Sequence, residues 1–309
     1  MFAIKFLLLA AISLASFQQT ATEPRHYDLP MRGGTVNVEL ASEITPAAEQ
    51  DIRTYVKAAA DAVTAYVDGF PVAHVTLRIR TFHGNGVRRG RTFSQDGGGL
   101  ILMSIGDQIT LADLMDDWML THEMLHLAFP NMPDDHHWAE EGLSTYAEPI
   151  ARMRLGQLTE ERVWSDMVRD MHQGEPQAGD EGLDNTHTHG RTYWGGALYY
   201  MMVDIGIRKH SHNKKGLEDA LRAILKEGGN ITQDWTFERV CEVGDKAAGG
   251  NVMADLYHKM KDTPMEVDLP ELWKQLGIEN NNGQISFNEK APMAKIRRAI
   301  SFGADKKHK

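Results

Sequence analysis

The spacing of apolar residues predicts strands and one long helix at the front of the chain. Residues 35–40 alternate between apolar and polar side chains, as expected of a strand with one buried face. Residues 72–82 alternate in the same way. Between them, Pro46 precedes an alanine-rich stretch, residues 47–67, whose apolar positions follow helical spacing. The front of the chain is therefore predicted to be a small α/β layer.

The pattern then changes from strand to helix. Residues 83–99 are rich in glycine and arginine, which indicates a loop, and residues 100–105 read as another apolar strand. After Thr110 almost every segment has helical spacing, apart from a polar surface loop over residues 174–190 and a short final strand over residues 284–287. We predict helices over residues 111–129, 139–153, 160–171, 194–207, 216–226 and 248–260.

The charge of the chain excludes one class of partner. The sequence has 309 residues, of which 42% are hydrophobic and 25% charged, and a formal net charge of −10. Binding to phosphates requires a basic surface, so we expect no nucleic-acid partner. Two short basic runs, residues 88–91 and 306–309, are interpreted as solvated loop and tail charge.

An export signal is predicted at the N-terminus. A positive charge precedes a short apolar run, residues 6–14, and a cleavage site near Ala15 or Ala21 fits the small residues that follow. The run is too short for an ordinary spanning helix, so we expect no stable membrane span once residues 1–21 are removed. Because the one cysteine is Cys241, no lipid attachment is expected after the run, and the predicted location is periplasmic or secreted.

The candidate chemistry lies on one helix, His122-Glu123-Met124-Leu125-His126, which is an HExxH motif. His122 and His126 are four residues apart, so both imidazoles project from one face of a helix. Two imidazole nitrogens in this arrangement can bind one zinc ion. Glu123 points about 100° round the helix, beside the metal, where it can take a proton from water. The motif predicts a zinc site with Glu123 as general base.

The third zinc ligand is predicted to come from the next helix. A catalytic zinc site needs three protein ligands and keeps a fourth position open. A third histidine in the motif itself would require Gly and His at positions occupied by Phe129 and Met132. The next helix carries Glu140 and Glu141, far enough from His126 for the chain to return antiparallel. Glu141 is the predicted ligand, and Glu140 is the main alternative.

Two other pairs of histidines are interpreted as exposed rather than metal-binding. His136 and His137 follow two aspartates in the turn between the two helices, where adjacent side chains diverge. We interpret this turn as a solvated cap of the second helix. His187 and His189 lie in the polar loop, where a solvated position is favoured over a place in the cleft.

Together these motifs resemble a known family. HExxH followed by W-x-x-E-G at residues 138–142 is similar to the thermolysin-like gluzincins, above all to the glycyl aminopeptidase family, which is related to the alanyl aminopeptidases. Residues 193–197 resemble the Y-x-x-G-A segment of these enzymes. The likeness runs from about Gly69 to Ile300, and we expect it to cover the catalytic domain alone.

The resemblance implies a fold and a division of the chain. The implied fold is α+β, a thermolysin-like two-lobed zincin in which a small N-terminal α/β sheet lobe precedes a mostly helical lobe, with the active site between them. We therefore expect the first lobe over residues 22–109 and the zinc metallopeptidase lobe over residues 110–280. A C-terminal segment with a basic tail follows over residues 281–309.

The resemblance also implies a reaction. It is hydrolysis of a peptide bond in a peptide or protein substrate, with one Zn²⁺ per chain. Zinc polarises the scissile carbonyl and lowers the pKa of its water toward about 7, and Glu123 moves the proton to the leaving amine. The hydroxyl of Tyr193 is implied to stabilise the oxyanion that develops.

The strand before the zinc helix departs from the alanyl aminopeptidases. Their strand carries a glutamate that holds the α-amine of the substrate, whereas the counterpart here, residues 97–103, has no acid. Asp96 and Glu140 are the nearest candidates for that role, so cleavage at a chain end and cleavage within a chain both stay open. We predict that extended substrate pairs with the edge of this strand, through Gly98, Gly99 and Leu100.

Two further functions stay open. A zinc-containing binding or assembly factor without turnover would be expected to lack the base, a ligand or the tyrosine, and all of these are present. A non-peptide hydrolase could use the same residues, and substrate profiling would separate it from a peptidase.

Overall fold

The computed structural model describes residues 25–281 and 283–303, so the predicted signal peptide, residues 1–21, lies outside the described part. Its strands are β1 (Arg25–Met31), β2 (Gly34–Leu40), β3 (His74–Phe82), β4 (Val87–Gln95), β5 (Gly98–Gly106), β6 (Ile278–Asn281) and β7 (Gln284–Phe287). Its first helices are α1 (Pro46–Val67), α2 (Leu111–Asp116), α3 (Met119–His126), α4 (His137–Arg154), α5 (Glu160–Asp170) and α6 (Gly196–His210). The remaining helices are α7 (Leu217–Lys226), α8 (Phe237–Ala248), α9 (Val252–Met260), α10 (Leu269–Leu276) and α11 (Ala294–Phe302). Within the described residues, no helix has both the length and the apolar character needed to cross a membrane.

The first five strands form one sheet in the order β1-β2-β3-β5-β4. The three central strands are parallel, and β1 and β4 pair antiparallel at the two edges. Alternate residues of the central strands are buried on the inner face, which packs against helices: Val36, Val38, Leu40, Val75, Leu77, Ile79, Ile101, Met103 and Ile105. The alternation seen in the sequence therefore marks the inner face of the sheet.

Two expectations about this sheet are wrong. The segment interpreted as a glycine- and arginine-rich loop contains the edge strand β4, which joins β5 through a hairpin at Asp96 and Gly97, both with positive φ. An edge strand with polar side chains lacks the apolar alternation that identifies a strand in a sequence. In addition, β5 lies between β3 and β4, so Gly99 and Leu100 pair on both sides and offer no free edge to a substrate.

Helices follow the sheet, and each predicted helical segment overlaps at least one of them, although α10 and α11 were not among the predicted segments. The predicted helix over residues 111–129 is divided into α2 and α3 at Asp117. Oδ1 of Asp117 accepts hydrogen bonds from the backbone N–H of Met119 at 2.8 Å and from the hydroxyl of Tyr55 at 2.8 Å. The carboxylate of Asp117 therefore stabilises the start of α3. The lobe boundaries at residues 109 and 280 stay a prediction.

Candidate metal centre

The metal helix α3 is held at its start by a side chain from α1. The hydroxyl of Tyr55 accepts a hydrogen bond from the backbone N–H of Leu120 at 3.1 Å while it donates to Asp117. Arg152 of α4 adds a bond from its guanidinium to the carbonyl oxygen of Asp117 at 3.0 Å. α3 also contacts β4, β5 and α4, so the HExxH motif lies where the sheet meets the helices.

Three predicted ligands converge on one point. Nε2 of His122 lies 3.0 Å from Oε2 of Glu141, and Nε2 of His126 lies 3.5 Å from the same oxygen. The three ligand atoms lie within 4.8 Å of one another. His122 and Glu141 are buried and His126 is nearly so, so the group sits at the base of a cleft rather than on the surface.

This geometry fits a zinc ion. Two ligand atoms at about 2.0–2.1 Å from a tetrahedral zinc ion are separated by roughly 3.3 Å. The 3.0 Å and 3.5 Å separations bracket that value. Two neutral nitrogens and one carboxylate oxygen form the His₂Glu donor set of catalytic zinc sites. The residues present therefore fit zinc, with Glu141 rather than Glu140 as the third donor.

The same contacts perturb the protonation of all three groups. Burial lowers the pKa of His122. Burial also acts to lower the pKa of His126, but the hydrogen bond and charge of Glu141 raise it to about 9. Burial opposes ionisation of Glu141, yet its hydrogen bonds with the two histidines hold its pKa well below the ordinary value. The carboxylate of Glu141 thus faces two ring nitrogens and favours a proton on His126. A bound zinc ion would displace that proton, because only a neutral imidazole nitrogen can bind a metal.

The predicted base, Glu123, is held by the edge strand. The hydroxyl of Thr92 on β4 donates to Oε2 of Glu123 at 2.7 Å. Gly90, two residues earlier, allows β4 to lie close to α3, because a Cβ at that position would lie 2.6 Å from Cγ of Glu123. Glu123 is 8% exposed, so strand and helix enclose it and fix its direction.

The predicted oxyanion donor, Tyr193, lies on the opposite wall. It belongs to a π-helical segment, Gly190–Gly195, that leads into α6. Its ring stacks on His189 at 4.6 Å between centroids and lies nearly parallel to the ring of His122 at 6.3 Å. Burial, with the nearby carboxylates of Glu141 and Glu123, raises the pKa of Tyr193 to about 12, so the hydroxyl keeps its proton at neutral pH.

Glycines bring the helices of Glu141 and Tyr193 together. A Cβ at Gly142 would lie 2.3 Å from Cα of Gly196, so α4 and the start of α6 touch backbone to backbone. This close approach places the π-helical segment directly beside the carboxylate ligand. The W-x-x-E-G and Y-x-x-G-A motifs therefore meet in space through their glycines.

A cleft of about 740 Å³ contains these groups. Of the predicted residues, the cleft is lined by His122, Glu123, His126, Glu140, Glu141 and Tyr193. Gly98, Gly99 and Leu100 are not among its lining residues, and Asp96 lies in the exposed hairpin beside Gln95. The wall expected from β5 is formed by β4 instead.

Three of the four histidines interpreted as solvated contact the site or its supporting residues, whereas His187 is exposed as expected. His136 is largely covered, and its Nε2 lies 2.8 Å from the hydroxyl of Tyr257. Nε2 of His137 lies 3.4 Å from Oε1 of Glu141, and His189 carries the ring stack on Tyr193. The solvated-cap interpretation is wrong for His136. Thr92 was also missed, because no local pattern connects a strand hydroxyl with a helix thirty residues later.

Solved zinc aminopeptidases share this fold. An aminopeptidase N family protein from Idiomarina loihiensis matches with a TM-score of 0.63 at 15% identity, over 83% of this chain and 49% of its own. An M1 zinc metallopeptidase from Deinococcus radiodurans matches with a TM-score of 0.51 at 12% identity, over 80% of this chain and 53% of its own. Aminopeptidase A from Legionella pneumophila matches with a TM-score of 0.50 at 13% identity, over 78% of this chain and 28% of its own.

The comparisons confirm the predicted fold class. This is an α+β chain in which a small sheet precedes a mostly helical part, as in the M1 aminopeptidase structures. Identities this low show the fold alone, and the chain spans about half the length of the first two matches. No family model and no curated protein matches the sequence.

Proposed function

We propose that the protein is a zinc-dependent peptidase that hydrolyses peptide bonds in the cleft between β4 and α4. The observation that carries the proposal is the convergence of His122, His126 and Glu141 beside Glu123. A structural metal site has no need of a buried carboxylate next to the ligands or of a large open cleft above them. The solved structures that share the fold support the same reading, since those matched are zinc metallopeptidases or aminopeptidases.

The roles of the side chains follow from their positions. Bound zinc, held by the two histidines and Glu141, would polarise the scissile carbonyl and lower the pKa of a water molecule. Oε2 of Glu123 is engaged by Thr92, so Oε1 is the oxygen left to take a proton and return it to the leaving amine. Tyr193 keeps its proton and is placed to donate it in a hydrogen bond to the developing oxyanion.

Within this fold we place the chain with the glycyl aminopeptidase-like gluzincins, on the two motifs that meet at Gly142 and Gly196. Since an export signal is predicted, we propose that the peptidase acts outside the cytoplasm. Among the described residues, Glu140 is the one carboxylate that lines the cleft besides Glu123 and Glu141. It already accepts from the backbone N–H of Met132 at 2.9 Å and contacts Nδ1 of His137 at 3.2 Å. Because Glu140 is already engaged in these contacts, it is poorly placed to bind the α-amine of a substrate. We therefore favour cleavage within a chain over cleavage at its N-terminus.

The decisive experiment combines metal content with cleavage. Purified protein should contain about one zinc per chain by plasma mass spectrometry and should cut a peptide library. Glu123→Gln should keep its zinc and lose cleavage, while Glu141→Gln should lose zinc. Peptides with acetylated N-termini should be cut as well as free ones if cleavage occurs within chains.

Each outcome separates the alternatives. Cleavage by Glu123→Gln at the wild-type rate would overturn the assigned base. Full zinc content in a wild-type protein that cuts no peptide would favour the binding factor, and turnover of a non-peptide ester or epoxide by the same protein would favour the non-peptide hydrolase.

A further inference from the structure

The outer edge of β4 is a free strand edge along the cleft. β4 pairs with β5 on one side, and among the described residues no strand pairs on its other side. Residues 88–94 line the cleft in an unbroken run, beside the candidate metal ligands. A free edge has unpaired backbone N–H and C=O groups, which an extended polypeptide can pair with.

The side chains of this edge divide between two faces. Gly90 and Thr92 face α3, because both contact Glu123. Successive side chains of a strand point to opposite faces, so Arg89, Arg91 and Phe93 face the outer side of the sheet. The register of β5 agrees with this division. Met103 and Ile101 of β5 are buried on the inner face, and the residues that alternate with them pair with Arg89, Arg91 and Phe93: Ser104, Leu102 and Leu100.

The outer side of the edge carries unpaired positive charge. Arg88, Arg89 and Arg91 are exposed, and so is Arg80, which shares the register partner Ser104 with Arg89. In the described part of the chain, none of the four lies within ion-pair distance of a carboxylate. The guanidinium of Arg88 instead lies 4.1 Å from the ring centroid of Phe82. Three of these arginines lie on β4, and Arg80 lies on β3, on the far side of β5. In a chain with a net charge of −10, these arginines of the described residues form a basic surface on the outer face of the sheet.

The inner side of the same edge faces the candidate metal centre. Glu123, Glu140 and Glu141 line the cleft below β4. A polypeptide added to the edge would present alternate side chains inward, toward these carboxylates, and the others outward, beside Arg89 and Arg91. Acidic side chains are therefore favoured at the outward positions.

We propose that the substrates are extended polypeptide segments that pair with β4 and carry acidic residues at alternate positions, facing Arg89 and Arg91. This specificity rests on the proposed peptidase function, because it uses the edge that leads to the metal ligands. Opposite charges directly across two strands attract, and charges of one sign on the edge also speed the approach of an acidic chain.

The test measures binding separately from cleavage. Zinc-loaded Glu123→Gln protein is titrated into fluorescent peptides of one length that carry Glu, Gln or Lys at alternate positions. The Glu peptide should bind about fivefold more tightly than the Gln peptide at low salt, since two cross-strand pairs contribute. The difference should shrink as NaCl rises to about 0.5 M, because the pairs are exposed.

Matched variants locate the effect. Arg89→Gln with Arg91→Gln, in the same background, should abolish the preference, and Arg89→Glu with Arg91→Glu should transfer it to the Lys peptide. Arg32→Gln with Lys57→Gln changes the net charge equally at the other edge of the sheet and on α1, and should keep the preference. Equal melting temperatures of the variants would confirm that each is folded.

The outcomes distinguish this proposal from the proposed function. Equal binding of the Glu and Gln peptides, or a preference that survives the Arg89 and Arg91 changes, overturns the acidic specificity even if peptides are cut. An acid preference that depends on these arginines in a protein whose wild type cuts no peptide overturns the peptidase function instead. With active wild type, acids should occur at every second position around the bonds that mass spectrometry maps.

Discussion

The hydroxyl of Thr92 lies 2.7 Å from Oε2 of Glu123 and 2.9 Å from the carbonyl oxygen of the same residue. The single hydroxyl proton of Thr92 can therefore be shared between the carboxylate and the backbone carbonyl of the proposed base. Since we propose that substrate pairs with the edge of the same strand, we expect Thr92 to link substrate binding to the direction of the base.

Replacing Thr92 with valine should disturb the base without affecting the metal. Thr92→Val keeps the shape of the side chain and removes the donor, so Glu123 can rotate away from the scissile bond. We expect kcat to fall roughly ten- to hundredfold, the scale for a small displacement of a catalytic group, with zinc content unchanged. Thr76→Val, on the outer face of β3, is the control and should retain full activity. An unchanged kcat in Thr92→Val would show that Glu123 needs no such support.

Replacing Tyr193 with phenylalanine should remove an oxyanion donor. The pKa of Tyr193 is raised to about 12, so the wild-type hydroxyl stays protonated through neutral pH. We expect kcat of Tyr193→Phe to fall about 10²-fold or more while zinc content stays the same. Steady-state kinetics and metal analysis on one preparation provide the check. Wild-type kcat in this variant would remove Tyr193 from the reaction.

Replacing His189 with alanine should loosen Tyr193. The two rings stack at 4.6 Å between centroids, and a ring pair of this kind contributes about 0.5–1.5 kcal/mol. We expect kcat to fall roughly two- to tenfold, with KM and zinc content little changed. His187→Ala removes an exposed histidine of the same loop and should behave as wild type. A fall in both variants alike would point to loop disorder rather than to positioning of Tyr193.

Glu148 should make the fold less stable at neutral pH than at acid pH. Burial raises the pKa of Glu148 from 4.5 to about 7, although the charge of Arg152 acts in the opposite direction. Between these values the unfolded chain loses the proton and the folded protein keeps it, so the free energy of unfolding falls as pH rises. The full effect is at most about 3 kcal/mol.

Urea denaturation between pH 4.5 and pH 7.5 would measure this dependence. Glu148→Gln has no proton to lose, so its stability should vary less over the interval than that of the wild type. The hydrogen bonds of Arg152 to the carbonyl oxygens of Met115 and Asp117 remain available in the variant. Parallel curves for the two proteins would show that Glu148 ionises normally in the fold.

Local sequence patterns identified the metal helix and the helix that carries its third ligand. His122 and His126 face one way because any helix places residues four apart on one side, whatever surrounds it. Strand alternation likewise marked residues 35–40 and 72–82, because burial of one sheet face imposes a period of two. The choice of Glu141 over Glu140 came from motif spacing, and the structure brings Glu141 to the histidines while Glu140 binds the N–H of Met132.

Only the tertiary structure showed which strand borders the cleft and what holds the base. β4 has no apolar alternation, because its outer edge and outer face lie in solvent, so its arginines looked like those of a loop. Thr92, His189 and the glycine contact between Gly142 and Gly196 act across long sequence separations. Such contacts depend on how elements pack, and packing is a property of the whole fold that the period of one segment does not contain.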